Sequence, residues 1–81
     1  MFVVCPPKGQ PIQVQLVDHP RDEGFKALIL ADGQYLCLTP TGDIERRTEA
    51  RSWERFSPAR NAAVLVAERD GQTFVWPFAQ Y

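Results

Sequence analysis

Apolar and polar residues alternate at period two over much of this chain, and Gly, Pro and Asp interrupt the alternation at short intervals. That is the pattern of short antiparallel strands joined by tight turns. Its clearest stretch is residues 25–40, FKALILADGQYLCLTP, in which two apolar runs flank Asp32-Gly33. Asp-Gly in that setting predicts a β-hairpin, because a type I′ turn needs positive φ at both central residues and Gly accepts it without steric cost. Asp70-Gly71 repeats the signal between residues 63–68, where Val64 and Val66 are β-branched, and a last strand over residues 72–78. In that strand Phe74, Trp76 and Phe78 fall on one face. Pro77 falls on the other and has no N–H for a ladder, which predicts a strand at a sheet edge or at its end.

Ile12, Val14 and Leu16 alternate with Gln13 and Gln15, a half-buried strand over residues 12–17. The apolar run at residues 2–5 stops at Pro6-Pro7, residues 18–24 form a polar loop, and residues 39–43, TPTGD, form a further turn. Residues 44–56, IERRTEARSWERF, have two readings. As a helix they carry a cap at Asp43 and a row of Arg47, Arg51 and Arg55, but Ile44, Ala50, Trp53 and Phe56 make only a thin apolar stripe. As a weak strand at 44–47 followed by a turn at 52–56 they drop Trp53 and Phe56 into the core, and this reading is preferred. Ser57-Pro58 could open a helix; the hairpin through Asp70-Gly71 is preferred there as well. Gly9-Gln10, Gly33-Gln34 and Gly71-Gln72 each lie at a predicted turn, at unequal spacings of 24 and 38 residues, so they read as shared turn chemistry rather than a sequence repeat.

These elements add up to a mainly β protein: a compact antiparallel sheet or partly open barrel of about six short strands in three hairpins, with at most one short helix between residues 45 and 63. The expected core contains Val4, Val14, Leu16, Leu28, Leu30, Leu36, Leu38, Trp53, Phe56, Leu65, Phe74 and Trp76. A chain of 81 residues holds one domain, 1–81, and buries only roughly 60% of its unfolded surface, so the core must be tight. Hydrophobic residues at 44% and charged residues at 23% argue against a disordered chain or a coiled coil. A net charge of −1 gives no global attraction to nucleic acid or an anionic membrane. No stretch approaches the ~20 apolar residues of a membrane span, and MFVVCPPKG lacks the basic region and apolar length of a secretion signal, which together predict a cytoplasmic protein with no membrane partner. Cys5 and Cys37 lie in apolar segments and are expected to be free, buried thiols.

Candidate chemistry is sparse. The single histidine, His19, sits among Asp18, Asp22 and Glu23, where it reads as a solvated side chain rather than a metal or acid-base group. Paired histidines, Cys-x-x-Cys, a phosphate-cradling glycine loop and a Gly-x-Ser-x-Gly elbow are all missing. The expectation is a protein that is not an enzyme and uses no metal or cofactor. Two surfaces remain. In the last strand Phe74, Val75, Trp76 and Phe78 are candidate partner-binding residues, with the rings packed inward and the backbone edge free to pair with a partner protein or a second copy. The other surface is Arg46, Arg47, Arg51, Arg55 and Arg60 around Trp53 and Phe56. Arginines fork onto phosphates and bases stack on exposed aromatics, so Arg47, Arg51, Trp53 and Arg55 are candidate nucleic-acid-binding residues. Against this, Glu45, Glu49 and Glu54 leave residues 44–60 only +2, and the plainer reading is a solvated face of weak ion pairs.

Residues 27–36, ALILADGQYL, followed by Gly42-Asp43-Ile44 and then Ser52-Trp53-Glu54-Arg55-Phe56, resemble one repeat of the fascin-like β-trefoil proteins. Such a repeat carries a Gly-x-Tyr-Leu hairpin and, after a turn, a Trp-Glu-x-Phe-like segment whose aromatics fill the core. The resemblance covers residues 25–56 and rests on common residue types; a full trefoil needs three repeats of this length, more than 81 residues hold. It implies structural roles for Tyr35, Leu36, Trp53 and Phe56, and binding or cross-linking rather than catalysis. The sequence therefore points to a non-enzymatic cytoplasmic interaction module that binds a protein partner or itself through a sheet edge, with a small nucleic-acid-binding domain as the alternative.

Overall fold

The computed structural model describes residues 2–7, 9–58 and 64–80. Its strands are β1 (Phe2–Val4), β2 (Ile12–Asp18), β3 (Lys26–Ile29), β4 (Tyr35–Leu38), β5 (Ile44–Arg47), β6 (Ser57–Pro58), β7 (Val64–Arg69) and β8 (Gln72–Gln80), with a 3-10 turn at Ser52–Glu54. They form one antiparallel sheet in the order β5-β4-β3-β2-β1-β8-β7-β6. The mainly β expectation holds, with eight strands in place of about six. The two outer strands are β5, which matches the weak strand expected at residues 44–47, and β6, which is additional. β5 reads IERR and is mostly exposed on both faces, with charges of the kind that guard an edge strand; β6 is only two residues long. The sheet is not closed. It curls far enough for Phe56, at the entrance to β6, to exchange backbone hydrogen bonds of 2.7 and 2.9 Å with Lys26 at the head of β3.

The two Asp-Gly pairs both make hairpins, by different turns. Asp70 and Gly71 have φ of 51° and 81° and join the directly paired Arg69 and Gln72, which is the two-residue type I′ turn. At Asp32-Gly33 only Gly33 is left-handed, with φ 85°, so the expected type I′ turn is replaced by a longer one. There the Gly33 N–H bonds the Leu30 carbonyl (2.9 Å) and the Leu30 N–H bonds the Gln34 carbonyl (2.8 Å), the bulged arrangement in which a single glycine takes the left-handed position. Asp32 keeps a negative φ and uses its carboxylate to accept from the Gln34 N–H (3.0 Å). The Thr39–Gly42 turn repeats this backbone pattern.

Val4, Val14, Leu28, Leu36, Leu38, Phe56, Leu65 and Trp76 form the core as expected, with Ala67, while Leu16, Leu30 and Phe74 pack against it half-buried. Trp53 does not join them. It is 40% exposed, and of the two aromatics in that turn only Phe56 goes inward, its backbone held by Lys26 and its ring tilted against Trp76 at 5.8 Å. Cys37 lies on the opposite face of β4 from Leu36, yet it too is fully buried, because the 3-10 turn packs against that strand.

The long-range tie in this small fold is a buried cation. Arg69, at the end of β7, is 3% exposed. Its Nε–H donates to the Leu38 carbonyl at the end of β4 (2.7 Å), one terminal nitrogen donates to the carbonyls of Trp53 (2.8 Å) and Arg55 (2.9 Å), and the other to Glu68 (3.0 Å). The guanidinium plane lies 5.4 Å from the centre of the Phe56 ring. Its acceptors are carbonyl oxygens, and burial pulls its pKa down, with Arg55 adding to the effect; an arginine nevertheless keeps its charge. Four hydrogen bonds thus satisfy a cation that would otherwise be costly to bury. Arg69→Met should strip three segments of their donor and lower the unfolding free energy by about 3–5 kcal/mol, with Arg69→Lys restoring only part of it, as read by urea denaturation.

Candidate functional site

Pro77 had suggested a strand at a sheet edge or at its end; β8 lies at neither, but between β1 and β7. The reason is visible in the pairing. β7 covers residues 72–77 of β8, whereas β1 covers only residues 78–80. One further bond continues the β1 side, from the Cys5 N–H to the Pro77 carbonyl (2.9 Å). Pro6 and Pro7 have no N–H and the chain leaves β8 at that point. Because backbone polar groups alternate sides along a strand, the position of the Pro77 carbonyl puts the missing Pro77 N–H on the β1 side, and proline breaks no bond to β7. The same alternation turns the N–H and C=O of Val75 and Thr73 toward the β1 side. Among the described residues, no strand pairs with them there. β8 is therefore half central and half open.

The candidate partner-binding residues divide accordingly. Trp76 is buried, and Phe74 and Phe78 are half-buried against the core, the Phe78 ring packing on Phe2 at 5.7 Å. These rings pack on the core, and Phe74 and Trp76 also border an open groove. Val75 points to the outer face and is 51% exposed. Beside the open part of β8 runs a groove of about 500 Å³. Pro6 and Pro7 stand on one side of it, Gly42, Asp43 and Ile44 on another, and Phe74 and Trp76 contribute their edges. Gly42 lets the turn approach closely: a Cβ there would sit 3.4 Å from the Phe74 ring, on a backbone with φ 89°. The sequence reading had not connected Pro6-Pro7 with the last strand, although a proline pair straight after a short apolar run was the signal available.

The arginines do not form one patch. Arg47, Arg51 and Trp53 line a single depression together with Glu49 and Glu54. Arg55 lies elsewhere, paired with Asp22 (3.4 Å) and stacked 4.9 Å over the Phe25 ring. Each has a carboxylate partner: Arg47 pairs with Glu45, Arg51 with Glu49 (2.8 Å) and Arg46 with Asp32 (2.6 Å). The Arg51 hydrogen bond holds the Glu49 carboxyl below the usual carboxylate range, with Arg21 adding a weaker pull. The Glu49–Arg51 pair therefore stabilises the fold above that range and loses its effect as the pH falls; being exposed, its contribution is small. Arg60 lies outside the described residues.

His19 is buried, contrary to the expectation of a solvated ring. Its Nδ1 accepts from the N–H groups of Arg21 (3.1 Å) and Asp22 (3.0 Å). Nε2 must then carry the proton and donate to the Arg51 carbonyl (2.9 Å). All ring valences are used in holding the 18–24 loop to the chain before the 3-10 turn, a structural task. Among the described residues no three His, Cys, Asp or Glu side chains converge as metal ligands, and no helix is long and apolar enough to cross a membrane. Compared with known protein families, characterised proteins and solved structures, the chain matches none.

Both cysteines are free. Cys37 is buried as expected, but Cys5 is exposed, at the point where β1 turns away from β8. Burial pushes the Cys37 thiol pKa up, and Glu54 adds to the effect, so both access and ionisation protect it. Iodoacetamide at neutral pH should place one adduct, on Cys5, in the native protein and two in denaturant, as counted by intact mass; rapid native labelling of Cys37 would contradict its burial.

Proposed function

We propose that this chain is a non-enzymatic interaction module of the cytoplasm, which takes up a protein partner or a second copy through an exposed strand edge. The observation that carries this reading is the half-covered β8, whose Val75 and Thr73 turn backbone donors and acceptors to a side where β1 does not reach. Unpaired strand groups beside a groove are the template for strand addition. The sheet's outer strands are poorer templates. β6 is two residues long, and β5 carries Glu45, Arg46 and Arg47 in ion pairs, the charged guard that discourages edge pairing. Two free thiols fit a reducing compartment.

A second reading, a single-strand nucleic-acid surface, has one observation in its favour: Trp53 is 40% exposed in the depression that Arg47 and Arg51 share. It ranks below the first because Glu49 and Glu54 line the same depression and cancel its charge, leaving little to attract phosphates.

Each reading has a direct test. For the edge, the Val75 amide should exchange with solvent at least about a hundredfold faster than those of Phe74 and Trp76, which face β7; equal protection would mean the edge is already covered. Val75→Pro removes a donor only on the open side, so it should fold normally and lose the partners that wild type retains in affinity capture. For the nucleic-acid reading, a single-stranded oligothymidylate should quench tryptophan fluorescence in a salt-sensitive way that Trp53→Leu abolishes. Absence of quenching in the wild type removes it.

A further inference from the structure

Building on the edge reading of β8, we propose that the groove beside it takes one extended segment of another protein as an added strand, with an apolar side chain seated against Phe74 and the Pro6-Pro7 wall and a basic residue facing Asp43. The occupant's conformation follows from what the edge offers. Val75 and Thr73 present two N–H and two C=O groups, spaced two residues apart, and only an extended backbone matches that repeat. Pro6 and Pro7 have no N–H to compete for an incoming chain, so that wall offers apolar rings and carbonyl acceptors but no backbone donor.

The same geometry disfavours a second copy as the occupant. The corresponding strand of another copy would arrive with its own β7 already paired along one side. It would therefore bring a whole hairpin into a space bounded by the turn at residues 41–44 of the first. A single segment, free on both edges, enters without that obstacle. Pro77 and the Asp70-Gly71 turn also bound the open stretch at either end, which limits the added strand to a few residues.

Side-chain preference follows from the walls. Phe74, Trp76, Pro6, Pro7 and Ile44 give the groove its apolar positions and Thr41, Asp43 and Gln72 its polar ones; Ile44 is 41% exposed, a rim that an apolar residue of the occupant would cover. Asp43 is the one charged residue among the described lining residues. Among the described residues its carboxylate accepts one side-chain hydrogen bond, from Thr41 Oγ1 (2.9 Å), which leaves acceptor capacity for an ammonium or guanidinium. Alternate residues of a strand face the same side, so the apolar and basic positions of the occupant should lie at an even offset in sequence, i and i+2 or i and i+4.

A phage-displayed library of random twelve-residue peptides, panned against the wild-type protein, tests this. The expected result is an enriched pattern with an apolar residue and a Lys or Arg at an even offset in sequence. A synthetic peptide of that pattern should lose about tenfold or more in affinity to Val75→Pro, and Asp43→Lys should exchange its preference from basic to acidic residues. Thermal unfolding of both variants confirms that they fold. Enriched peptides that need the Val75 N–H but are indifferent to Asp43→Lys would overturn this inference and leave the edge reading standing. Peptides that bind Val75→Pro as well as wild type would overturn both, and panning that enriches nothing would overturn the proposed peptide site.

Discussion

The guanidinium of Arg69 is the constraint on which the arrangement of this sheet depends. Eight short strands in sequential hairpins, with β1 inserted beside β8, form one ribbon, and a ribbon needs something to hold its two ends against each other. Among the described residues, the backbone link near that closure is the exchange between Lys26 and Phe56. Arg69 provides the other, from the end of β7 to the carbonyls of Leu38, Trp53 and Arg55. It spends a charge on acceptors that would otherwise lose their water on burial. With β4 and the 3-10 turn held in place, Phe56 is trapped under the cation, the turn at residues 39–43 is carried up to Phe74, and one side of the groove is formed.

Three prolines decide what remains open. Pro6 and Pro7 end β1's approach to β8, and Pro77 sits where its missing N–H matters least. Their joint effect is a strand that is central over its last residues and open over its first. A continuous β1 would have covered Val75 and Thr73 and left only the charged β5 and the two-residue β6 as edges. The groove and the open edge are consequences of the same chain departure, which is why they lie side by side.

Much of this was legible in the sequence because it depends on local chemistry. Asp32-Gly33 and Asp70-Gly71 announced hairpins, and the alternation from Ile12 to Leu16 announced a strand. Even the preference for strand and turn over helix in residues 44–56 followed from a thin apolar stripe. What escaped was set by topology. Whether Asp-Gly closes a two-residue or a bulged turn depends on the register of the flanking strands, which dipeptide identity does not report. An arginine just before Asp-Gly reads as a solvated turn residue, and nothing local to Arg69 reveals that Leu38 lies 31 residues away at its Nε. Trp53 and Phe56 are equivalent as hydrophobic residues; the Lys26 bridge chose between them. Pro77 correctly signalled an absent donor, but only the length of β1 says which side of the strand that absence falls on. His19 illustrates the converse, since a histidine surrounded by charges in sequence can be turned inward by two backbone N–H groups of its own loop.

The central claim is that a buried Arg69 guanidinium, donating four hydrogen bonds to backbone carbonyls, holds the sheet's ends together, and hydrogen exchange at its Nε measures this most directly. In nitrogen-15 spectra the Arg69 Nε–H should persist at neutral pH, with a scalar coupling across the hydrogen bond to the Leu38 carbonyl carbon, and should exchange only as fast as the whole sheet opens. An Nε–H that exchanges at the rate of the exposed Arg46, with no coupling to Leu38, would contradict the account: the ends of the sheet would then be held by something other than this cation.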